Sequence, residues 1–375
     1  MKKIILTGGG TGGHIWPHFA LFDSASSPFF ILEKIHELNV YYLGSKSGME
    51  KKIVHENKPH WKYISIPTGK LRRYFSIQNF IDPLRIILGF LKSLVILFQI
   101  KPDVVFSKGG FVTAPVVWAA WILRIPIIIH ESDATPALTT KLTLPFCNEC
   151  LLSFDTTKKY ISKKYHSKTF ISGLPLRNSL FHTNKIESQD FFSFENSNKK
   201  TLLIFGGSLG AMSINHNFIQ IVPKLIEKYN IIHIQGKNKF KISESDLKKW
   251  KHSYLSFDFL TEEMKYAYSI ADLALCRSGA SSIFELAAAR IPMILFPLGT
   301  KTSRGDQVVN AEYFKEKGWA QVLNEDDILK NPFLVTLDDT INKLDFWKKK
   351  LRTAPGPDAA LFVINRLEKY LNLKA

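Results

Sequence analysis

The chain has 375 residues, and its 50 lysines and arginines outnumber its 33 aspartates and glutamates, for a formal net charge of +17. With 45% hydrophobic and 22% charged residues it has the composition of a globular protein, which excludes intrinsic disorder as the main state. The length exceeds what one hydrophobic core usually supports, so two domains are expected. Three cysteines are too few for a disulfide framework and fit a reducing compartment.

The positive charge is spread along the whole chain rather than collected in a tail. Such a surface favours an anionic partner, and the candidate classes are nucleic acid, anionic lipid and a phosphorylated substrate. The sequence contains no zinc-finger spacing and no aromatic RNA-binding signature, so no nucleic-acid partner is predicted.

Two apolar runs bear on membrane insertion. Residues 4–6 are too few for the apolar region of a signal peptide, so no export is predicted. Residues 86–98 form the strongest apolar stretch, but this run is shorter than the roughly 20 residues that a spanning helix needs, and Lys92 interrupts it. The sequence therefore predicts no transmembrane segment.

The predicted strands are short apolar runs that alternate with helical segments. In chain order they are residues 2–7, 40–43, 104–106, 127–130, 201–205, 231–234, 273–276 and 293–296. Continuous apolar strands separated by helices are typical of parallel sheets covered on both faces. The first strand of each half runs into a glycine-rich turn and then a helix. We therefore predict an α/β protein with two doubly wound, Rossmann-like domains facing a central cleft.

The domain boundary is expected in the polar, poorly periodic stretch at about residues 173–200. We place an N-terminal domain at residues 1–175 and a C-terminal domain at residues 176–375. A final helix follows Pro357 and is predicted to pack, with the option that it returns to the N-terminal domain. Its predicted apolar face consists of Leu361, Ile364, Leu367 and Leu371.

The two glycine turns, residues 8–13 and 206–210, are candidate anion sites. Glycines let backbone N–H groups approach an anion closely, and the start of the following helix adds a favourable dipole. Residues 8–13 also match the dinucleotide fingerprint G-x-G-x-x-G. A NAD site needs an acidic residue after the second strand, where this chain has residues 44–46 (GSK), and this absence disfavours an oxidoreductase.

Other polar residues follow predicted strands. His14 ends the first glycine turn and is a candidate general base, because a neutral imidazole can remove a proton from a hydroxyl. The alternative is a histidine that only caps or packs. Glu285 lies about one turn into a helix that follows a strand, where it can accept two ribose hydroxyls or simply interact with the helix dipole. Residues 303–307 occupy a strand-end loop, where α/β proteins bind ligands.

Six short motifs, in this order, resemble those of the MurG family, the peptidoglycan N-acetylglucosaminyltransferases of the GT-B fold. They are residues 8–14 (GGGTGGH), 107–111 (SKGGF), 130–136 (HESDATP), 206–210 (GGSLG), 276–280 (CRSGA) with Glu285, and 303–307 (SRGDQ). Each motif is short, but the ordered set is specific. The resemblance implies inverting transfer of N-acetylglucosamine from UDP-N-acetylglucosamine to the 4-hydroxyl of the muramyl sugar of undecaprenyl-linked lipid I, which yields lipid II.

The resemblance implies that residues 1–175 form the acceptor and membrane-associating domain and that residues 176–375 form the UDP-sugar-binding domain. It also implies roles for single residues. His14 would be the catalytic base, and Thr11, Gly12 and Gly13 would face the sugar and the diphosphate. His130 and Asp133 would line the acceptor side. The remaining contacts, all to the nucleotide sugar, would be made by Arg177, Ser208, Thr261, Ala280, Ser281, Ser282, Ile283, Phe284, Glu285, Asp306 and Gln307.

The chain departs from the family pattern in a few places. Asp133 and Asp306 stand where many members carry amides, and Phe111 stands where many have tyrosine, so the departures concern the acceptor and sugar contacts. Residues 23–28 look inserted around the first helix, which Pro28 should break.

No cofactor and no metal ion is expected. Helix N-termini and Arg177 can stabilise the leaving diphosphate, and the sequence has no Asp-x-Asp motif. The pair Cys147 and Cys150 has no second pair and no neighbouring histidine to complete a metal site.

A lipid-linked acceptor implies an anionic membrane surface as a further partner. Lys70, Arg72, Arg73 and Arg85 precede the apolar residues 86–98, and basic residues beside exposed apolar surface are what interfacial attachment requires. The alternative is a buried helix of the first domain. The expected location is peripheral, at the cytoplasmic face of the inner membrane.

Three other functions remain open from the sequence. The chain could be another GT-B transferase with a different acceptor, an NAD(P)-dependent oxidoreductase, or a basic binding module without catalysis. Only the last predicts that His14 and Glu285 are dispensable.

Overall fold

The structure is a computed structural model that describes residues 1–24, 27–69, 78–207, 211–236, 242–299, 305–356 and 358–371, without the side chains of residues 78–81. The chain divides into two compact units. Unit 1 comprises Met1–Arg177 and Pro357–Ala375, and unit 2 comprises Asn178–Gly356.

The strands of the described residues all belong to parallel sheets. In chain order they are β1 (Lys2–Thr7), β2 (Leu38–Ser45), β3 (Lys62–Ile66), β4 (Val104–Ser107), β5 (Ile127–Glu131), β6 (Glu149–Leu152), β7 (Thr169–Ile171), β8 (Lys200–Phe205), β9 (Tyr229–Ile234), β10 (Tyr254–Phe257), β11 (Leu273–Cys276), β12 (Met293–Leu295) and β13 (Gln321–Val322).

Helices separate most of these strands. The α-helices are α1 (Trp16–Ala20), α2 (Pro28–Lys34), α3 (Met49–Asn57), α4 (Gln78–Ile100), α5 (Thr113–Ile122), α6 (Leu138–Thr143), α7 (Lys185–Phe192), α8 (Met212–Lys228), α9 (Glu244–Trp250), α10 (Met264–Ile270), α11 (Ala280–Ala288), α12 (Asp306–Glu316), α13 (Asn331–Asn342), α14 (Leu344–Leu351) and α15 (Ala359–Leu371). Short 3-10 helices cover Gly12–His14, Leu144–Phe146, Asp155–Tyr160, Lys163–Lys168, Asn178–Phe181 and Glu325–Asp327.

The predicted doubly wound architecture is confirmed in each unit. The described part of unit 1 has the strand order β3-β2-β1-β4-β5-β6-β7, and that of unit 2 has the order β10-β9-β8-β11-β12-β13. Residues of β1 alternate between two apolar clusters: Ile4 and Leu6 pack on one face of the sheet and Ile5 packs on the other. Both faces of the sheet are therefore covered, as a parallel sheet requires.

All eight predicted strands are present, whereas β3, β6, β7, β10 and β13 were not predicted. The strands that were not predicted are short or carry polar residues: β13 has two residues, β7 has three, and β3 has the sequence KYISI. Runs this short give only a weak strand signal on their own, and they form strands because a neighbouring strand offers a partner.

The first helical segment is interrupted, as predicted. Helix α1 ends at Ala20, and α2 begins at Pro28. A proline is favoured in the first turn of a helix because the N–H that it lacks has no intrahelical acceptor there. Pro28 therefore starts a new helix instead of continuing the old one.

Helix α15 packs on the sheet of unit 1, but its buried face differs from the predicted one. Val363, Ile364, Leu367 and Leu371 join the cluster that contains Ile4 and Leu6, whereas Leu361 is 52% exposed. The prediction that Leu361 packs is therefore wrong. Residues 363, 364, 367 and 371 follow the helical repeat, and residue 361 falls outside that stripe.

Helix α4 is longer than the apolar run that the sequence suggested. It has 23 residues, and its segment Asp82–Ile100 has a mean hydropathy of 1.8, enough by length and composition for a membrane span. The length argument against a span is therefore wrong. One such helix among the described residues is weak support for a span, because a core helix or a signal sequence passes the same test.

The two faces of α4 differ in their surroundings. Gly89, Ser93, Ile96 and Leu97 are buried and follow the helical repeat on one side. The apolar residues of the other side are exposed, namely Leu84, Ile87, Leu88, Leu91, Val95 and Phe98. The helix therefore lies along unit 1 with one face packed and one apolar face open.

Arg366 fastens α15 to the sheet and provides a test of the packing. Its Nε lies 2.6 Å from Glu149 Oε2, and its guanidinium lies 3.9 Å from the centre of the Phe170 ring. Because Arg366→Ala leaves the buried Glu149 carboxylate with only its Tyr370 partner, we expect a loss of about 2 kcal/mol in the free energy of unfolding. Urea unfolding followed by fluorescence measures this loss.

The matched control is Lys369→Ala, which removes the same charge from an exposed site on the same helix. It should change the free energy of unfolding by less than about 0.5 kcal/mol. Equal losses in both variants would show that α15 is not held by the Arg366–Glu149 pair.

Candidate functional site

The strand order of each sheet marks where a ligand is expected. β1 lies between β2 and β4, and β8 lies between β9 and β11, so the chain moves from one side of the first strand to the other. Ligands of open α/β sheets bind beyond the carboxyl ends of strands at such a switch point. We call these regions the carboxyl edge of unit 1, after β1, β4 and β5, and the carboxyl edge of unit 2, after β8 and β11.

Two glycine loops meet at the carboxyl edge of unit 1. Gly110 has a φ of +88°, and a Cβ built on it would lie 2.1 Å from the carbonyl oxygen of Gly9. A Cβ on Gly9 would in turn lie 2.9 Å from the carboxylate carbon of Glu50. A side chain on Gly110 would push the two loops apart, and a side chain on Gly9 would displace the Glu50 carboxylate.

His14 ends the first glycine loop, in the 3-10 turn Gly12–His14 that precedes α1. Its Nδ1 lies 3.1 Å from the carbonyl oxygen of Gly9 and 3.2 Å from Thr11 Oγ1. Because a carbonyl oxygen only accepts, we infer that Nδ1 carries the proton, which leaves the lone pair on Nε2. This is the tautomer that a general base requires. Thr11 and Gly13 beside it are half-buried, and Gly12 is buried.

His130 lies at the end of β5, at the predicted edge, but its ring is only 2% exposed. Its Nδ1 is 2.6 Å from Lys108 Nζ, and its Nε2 is 2.9 Å from the carbonyl oxygen of Gly173. Burial and the Lys108 ammonium lower the pKa of His130 well below its usual value, so the ring is neutral. A direct contact between His130 and an acceptor stays a prediction, and the buried ring favours a supporting role.

The loop after β5 closes on the carboxylate of Glu131. This carboxylate accepts hydrogen bonds from the backbone N–H of Asp133 (3.0 Å) and of Ala137 (2.8 Å) and from the hydroxyl of Thr140 (2.6 Å). Asp133 is half-buried. Glu131 thus fixes where Asp133 stands at the carboxyl edge of unit 1.

Arg177 is the last residue of the amino-terminal segment of unit 1. Its guanidinium is buried and lies 4.1 Å from the centre of the Trp16 ring. A guanidinium over an indole face is a favourable cation–π arrangement. Trp16 begins α1 two residues after His14, so this stacking places a cation beside the first glycine loop.

In unit 2 the predicted residues 280–285 form the first turns of α11. The first intrahelical hydrogen bond runs from Ile283 N–H to the Gly279 carbonyl, so the amides of Ala280, Ser281 and Ser282 have no acceptor within the helix. Ile283 and Phe284 are buried in the core of unit 2. The amides can therefore meet a ligand, and the two apolar side chains anchor the helix.

Glu285 is already oriented by a tyrosine. Tyr268, on α10, donates a hydrogen bond of 2.6 Å to Glu285 Oε2. The carboxylate that is predicted to bind the ribose hydroxyls is therefore held in place by Tyr268.

Arg277 follows β11 and is buried at the carboxyl edge of unit 2. It donates 2.9 Å hydrogen bonds to the Phe296 carbonyl oxygen and to Ser213 Oγ, and it pairs with Glu325. Ser213 lies in the first turn of α8. Arg277 therefore ties the start of α8 to the ends of β11 and β12.

Gln307 and Asp306 occupy the first two positions of α12. The side-chain oxygen of Gln307 accepts a 3.1 Å hydrogen bond from Leu298 N–H, which orients its amide. Thr261 is exposed and donates to Glu263 through both its N–H and its hydroxyl. Ser208, Ser303 and Arg304 lie outside the described residues, so their predicted contacts stay predictions.

Sequence reasoning did not assign Lys108, Glu50, Trp16 or Tyr268 to the site. Lys108 lies in the motif at residues 107–111, but nothing in the sequence predicts that its side chain is buried. Glu50 and Tyr268 come from α3 and α10, which have no recognisable motif. Only an unusual lysine beside two glycines, as in SKGGF, could have drawn attention beforehand.

Neither a metal nor a redox role finds support in the geometry. No group of three His, Cys, Asp or Glu side chains suited to a metal ion occurs in the part of the chain that the structure describes. Burial raises the pKa of Cys147 to about 11 and also raises that of Cys150, so both thiols stay protonated at neutral pH.

Comparisons with known proteins identify the family. Two family models match, the glycosyltransferase family 28 N-terminal domain over residues 4–152 and the glycosyltransferase family 28 C-terminal domain over residues 201–358. The crystal structure of MurG from Acinetobacter baumannii superimposes with a TM-score of 0.72 at 23% identity, covering 98% of this chain and 100% of that one. UDP-GlcNAc 2-epimerase from Neisseria meningitidis, bound to UDP-GlcNAc, gives 0.67 at 14% identity, covering 98% and 100%. These two likenesses show the fold.

Curated relatives are much closer in sequence. A UDP-N-acetylglucosamine–N-acetylmuramyl-(pentapeptide) pyrophosphoryl-undecaprenol N-acetylglucosamine transferase from Clostridium kluyveri is 40% identical, over 99% of this chain and 100% of the relative. The protein of the same name from Clostridium tetani is 38% identical, over 100% and 99%. The resemblance drawn from six short motifs is confirmed: the chain belongs to glycosyltransferase family 28 and, within it, to the MurG family of N-acetylglucosamine transferases.

Proposed function

We propose that this chain transfers N-acetylglucosamine from UDP-N-acetylglucosamine to the 4-hydroxyl of the muramyl sugar of lipid I, forming lipid II for peptidoglycan synthesis. The observation that carries the proposal is the 40% identity over almost the whole length of a relative named for this transfer. Membership of a glycosyltransferase family removes the oxidoreductase and the non-catalytic binding module as alternatives.

The donor nucleotide fits the carboxyl edge of unit 2. The starts of α8 and α11 present backbone amides and a favourable dipole to a diphosphate. Glu285, held by Tyr268, is placed to accept the ribose hydroxyls. Gln307 has an oriented amide for the sugar hydroxyls. Diphosphate, ribose and sugar then each have a group of matching chemistry.

The acceptor hydroxyl is assigned to the carboxyl edge of unit 1, with His14 as its base. In an inverting transfer the 4-hydroxyl oxygen forms a bond to the anomeric carbon of N-acetylglucosamine while the bond from that carbon to the UDP oxygen breaks. The hydroxyl proton passes to His14 Nε2, and the negative charge leaves with UDP. Backbone amides and Arg177 stabilise that charge. Thr11, Gly12 and Gly13 flank the base and face the reacting sugar.

The membrane face is assigned to the open side of α4 and to its neighbours. Helix α5, which packs against α4, and α6, which packs against α5, also carry exposed apolar residues, namely Trp121, Ile122 and Leu138. Arg85 and Lys92 are exposed on α4 itself. The predicted cations Lys70, Arg72 and Arg73 lie outside the described residues. An apolar surface bordered by cations fits peripheral attachment to anionic lipid at the cytoplasmic face of the inner membrane.

UDP binding tests the donor assignment. UDP and UDP-N-acetylglucosamine should raise the melting temperature, because a ligand that binds only the folded state stabilises it, by about 2.7 kcal/mol at one hundred times its Kd. NADH at equal concentration should not. Glu285→Gln keeps an oxygen for Tyr268 but loses the charge, so it should weaken UDP binding at least about tenfold.

The control for this measurement is Glu244→Gln, which neutralises an exposed carboxylate at the start of α9. It should leave the Kd for UDP unchanged. UDP binding by Glu285→Gln that equals that of the parent protein would remove Glu285 from the ribose site.

Transfer to lipid I tests the base. The parent protein should convert lipid I and radiolabelled UDP-N-acetylglucosamine to lipid II, and His14→Ala should lose about 10²–10⁴-fold in kcat while still binding UDP. The variant loses the group that removes the proton but keeps the residues that bind UDP. His182→Ala, an exposed histidine in unit 2, is the control and should retain full turnover. Near-normal kcat in His14→Ala would exclude His14 as the base.

Vesicle binding tests the membrane face. Replacing both Leu88 and Leu91 by Ser removes two exposed apolar side chains from α4. Burying a leucine side chain contributes about 1.5–3 kcal/mol, so even partial immersion predicts a loss of at least about tenfold in affinity for anionic vesicles. Sedimentation with the vesicles measures it. Turnover of a short-chain soluble acceptor should change little.

The matched control replaces Ile186 and Val335 by Ser, two apolar residues that are even more exposed but lie in unit 2. It should bind vesicles as the parent does. If both double variants lose the same affinity, the membrane face does not lie on α4.

A further inference from the structure

Lys108 is a buried cation at the carboxyl edge of unit 1 for which the proposed reaction has no role so far. It directly follows β4 and is only 1% exposed. Lysine is almost never buried to this extent unless its ammonium is paired. Lys108 Nζ lies 2.6 Å from His130 Nδ1 and 2.7 Å from Ser132 Oγ.

The hydrogen bonds around Lys108 have a defined direction. The carbonyl oxygen of Gly173 only accepts, so His130 Nε2, 2.9 Å away, carries the ring proton. His130 Nδ1 then has a lone pair and accepts from Lys108. A cation therefore fixes the tautomer and orientation of His130, and through it links β4, β5 and the turn after β7.

The backbone that follows Lys108 reaches the candidate base. Lys108 N–H donates a 2.9 Å hydrogen bond to the carbonyl of Thr7, the last residue of β1. A Cβ built on Gly109 would lie 3.8 Å from His14 Nε2, so this loop lies beside the His14 ring. A change in the position of Lys108 therefore acts on the loop beside His14.

Carboxylates face Lys108 from the neighbouring strand and loop. Glu131 ends β5 and Asp133 follows it, and both favour the charged form of the lysine. Without that charge, Glu131 and Asp133 would lose the buried cation that faces them. An acceptor sugar linked to a diphosphate is itself strongly anionic, so an unbalanced edge would repel it.

We propose that Lys108 is a positioning residue for the acceptor: its buried ammonium balances Glu131 and Asp133 and fixes His130, so that the carboxyl edge of unit 1 admits a sugar linked to a diphosphate. This inference rests on the proposed function, because it takes lipid I as the acceptor. It concerns acceptor binding and not the donor nucleotide, which is assigned to unit 2.

The proposal implies a pH dependence. Burial lowers the pKa of Lys108 to about 7, against the opposing effect of Glu131 and Asp133. Below this value the ammonium is present, and above it the edge loses its balancing charge. His130 and the buried His18, which also face Lys108, have lowered pKa values and stay neutral over this range. The kcat/KM for lipid I should therefore fall as the pH rises above about 7.

The test compares Lys108→Met and Lys108→Arg with the parent in the lipid II assay. Lys108→Met removes the charge and should raise the KM for lipid I at least about tenfold at neutral pH, with the KM for UDP-N-acetylglucosamine unchanged. Lys108→Arg keeps a cation that does not titrate. It should keep the acceptor KM of the parent and lose the fall in kcat/KM at alkaline pH. Lys163→Met, an exposed lysine of unit 1, is the control and should behave as the parent.

Thermal melting and UDP binding establish that each variant is folded. If Lys108→Met does not fold, the pH dependence of kcat/KM for lipid I in Lys108→Arg tests the proposal instead. Three results would each overturn the proposal. The KM for lipid I could be the same in Lys108→Met as in the parent, or the same in Lys108→Arg as in Lys108→Met. Alternatively, the kcat/KM of Lys108→Arg for lipid I could still fall at alkaline pH. Failure of the parent to make lipid II would instead overturn the proposed function.

Discussion

The close approach of two backbone loops at the carboxyl edge of unit 1 is the constraint on which the proposed chemistry depends. Gly110 and Gly9 touch without side chains between them, and a Cβ on Gly110 would lie 2.1 Å from the Gly9 oxygen. The same carbonyl of Gly9 receives the Nδ1–H of His14. The spacing of the loops therefore decides both where the imidazole stands and which of its nitrogens can act as a base.

Each carboxyl edge contains a buried cation at a corresponding place in the topology. Lys108 directly follows β4 and Arg277 directly follows β11, and each of these strands is the neighbour of the first strand across the switch point. Arg277 is satisfied by a carbonyl, a hydroxyl and Glu325, and its guanidinium does not titrate. Lys108 is satisfied by His130 and Ser132 and can lose its proton. Both edges therefore bury a cation, but only the charge of Lys108 depends on pH.

Helix α4 has one face that packs on unit 1 and one apolar face that is exposed. Its buried stripe, Gly89, Ser93 and Leu97, repeats every four residues, so one face is committed to unit 1. The opposite face keeps its apolar residues exposed, which a folded domain tolerates only where that surface has a use. Under the proposed function, the lipid chain of the acceptor would give this face its use, because that chain holds the reaction at the membrane.

The sequence by itself determined the fold class, the eight apolar strands and the family, because continuous apolar runs and ordered glycine motifs are local signals. It also placed His14 in the turn after the first strand and Glu285 in the early part of a helix that follows a strand, which follows from the alternation of strands and helices. It missed the short strands β7 and β13, whose few residues become strands only beside a partner. The tertiary structure alone decided the burial of Lys108, the tautomers of the histidines and the exposed face of α4. Those properties depend on which groups from distant parts of the chain come within hydrogen-bonding distance, and no local pattern encodes that.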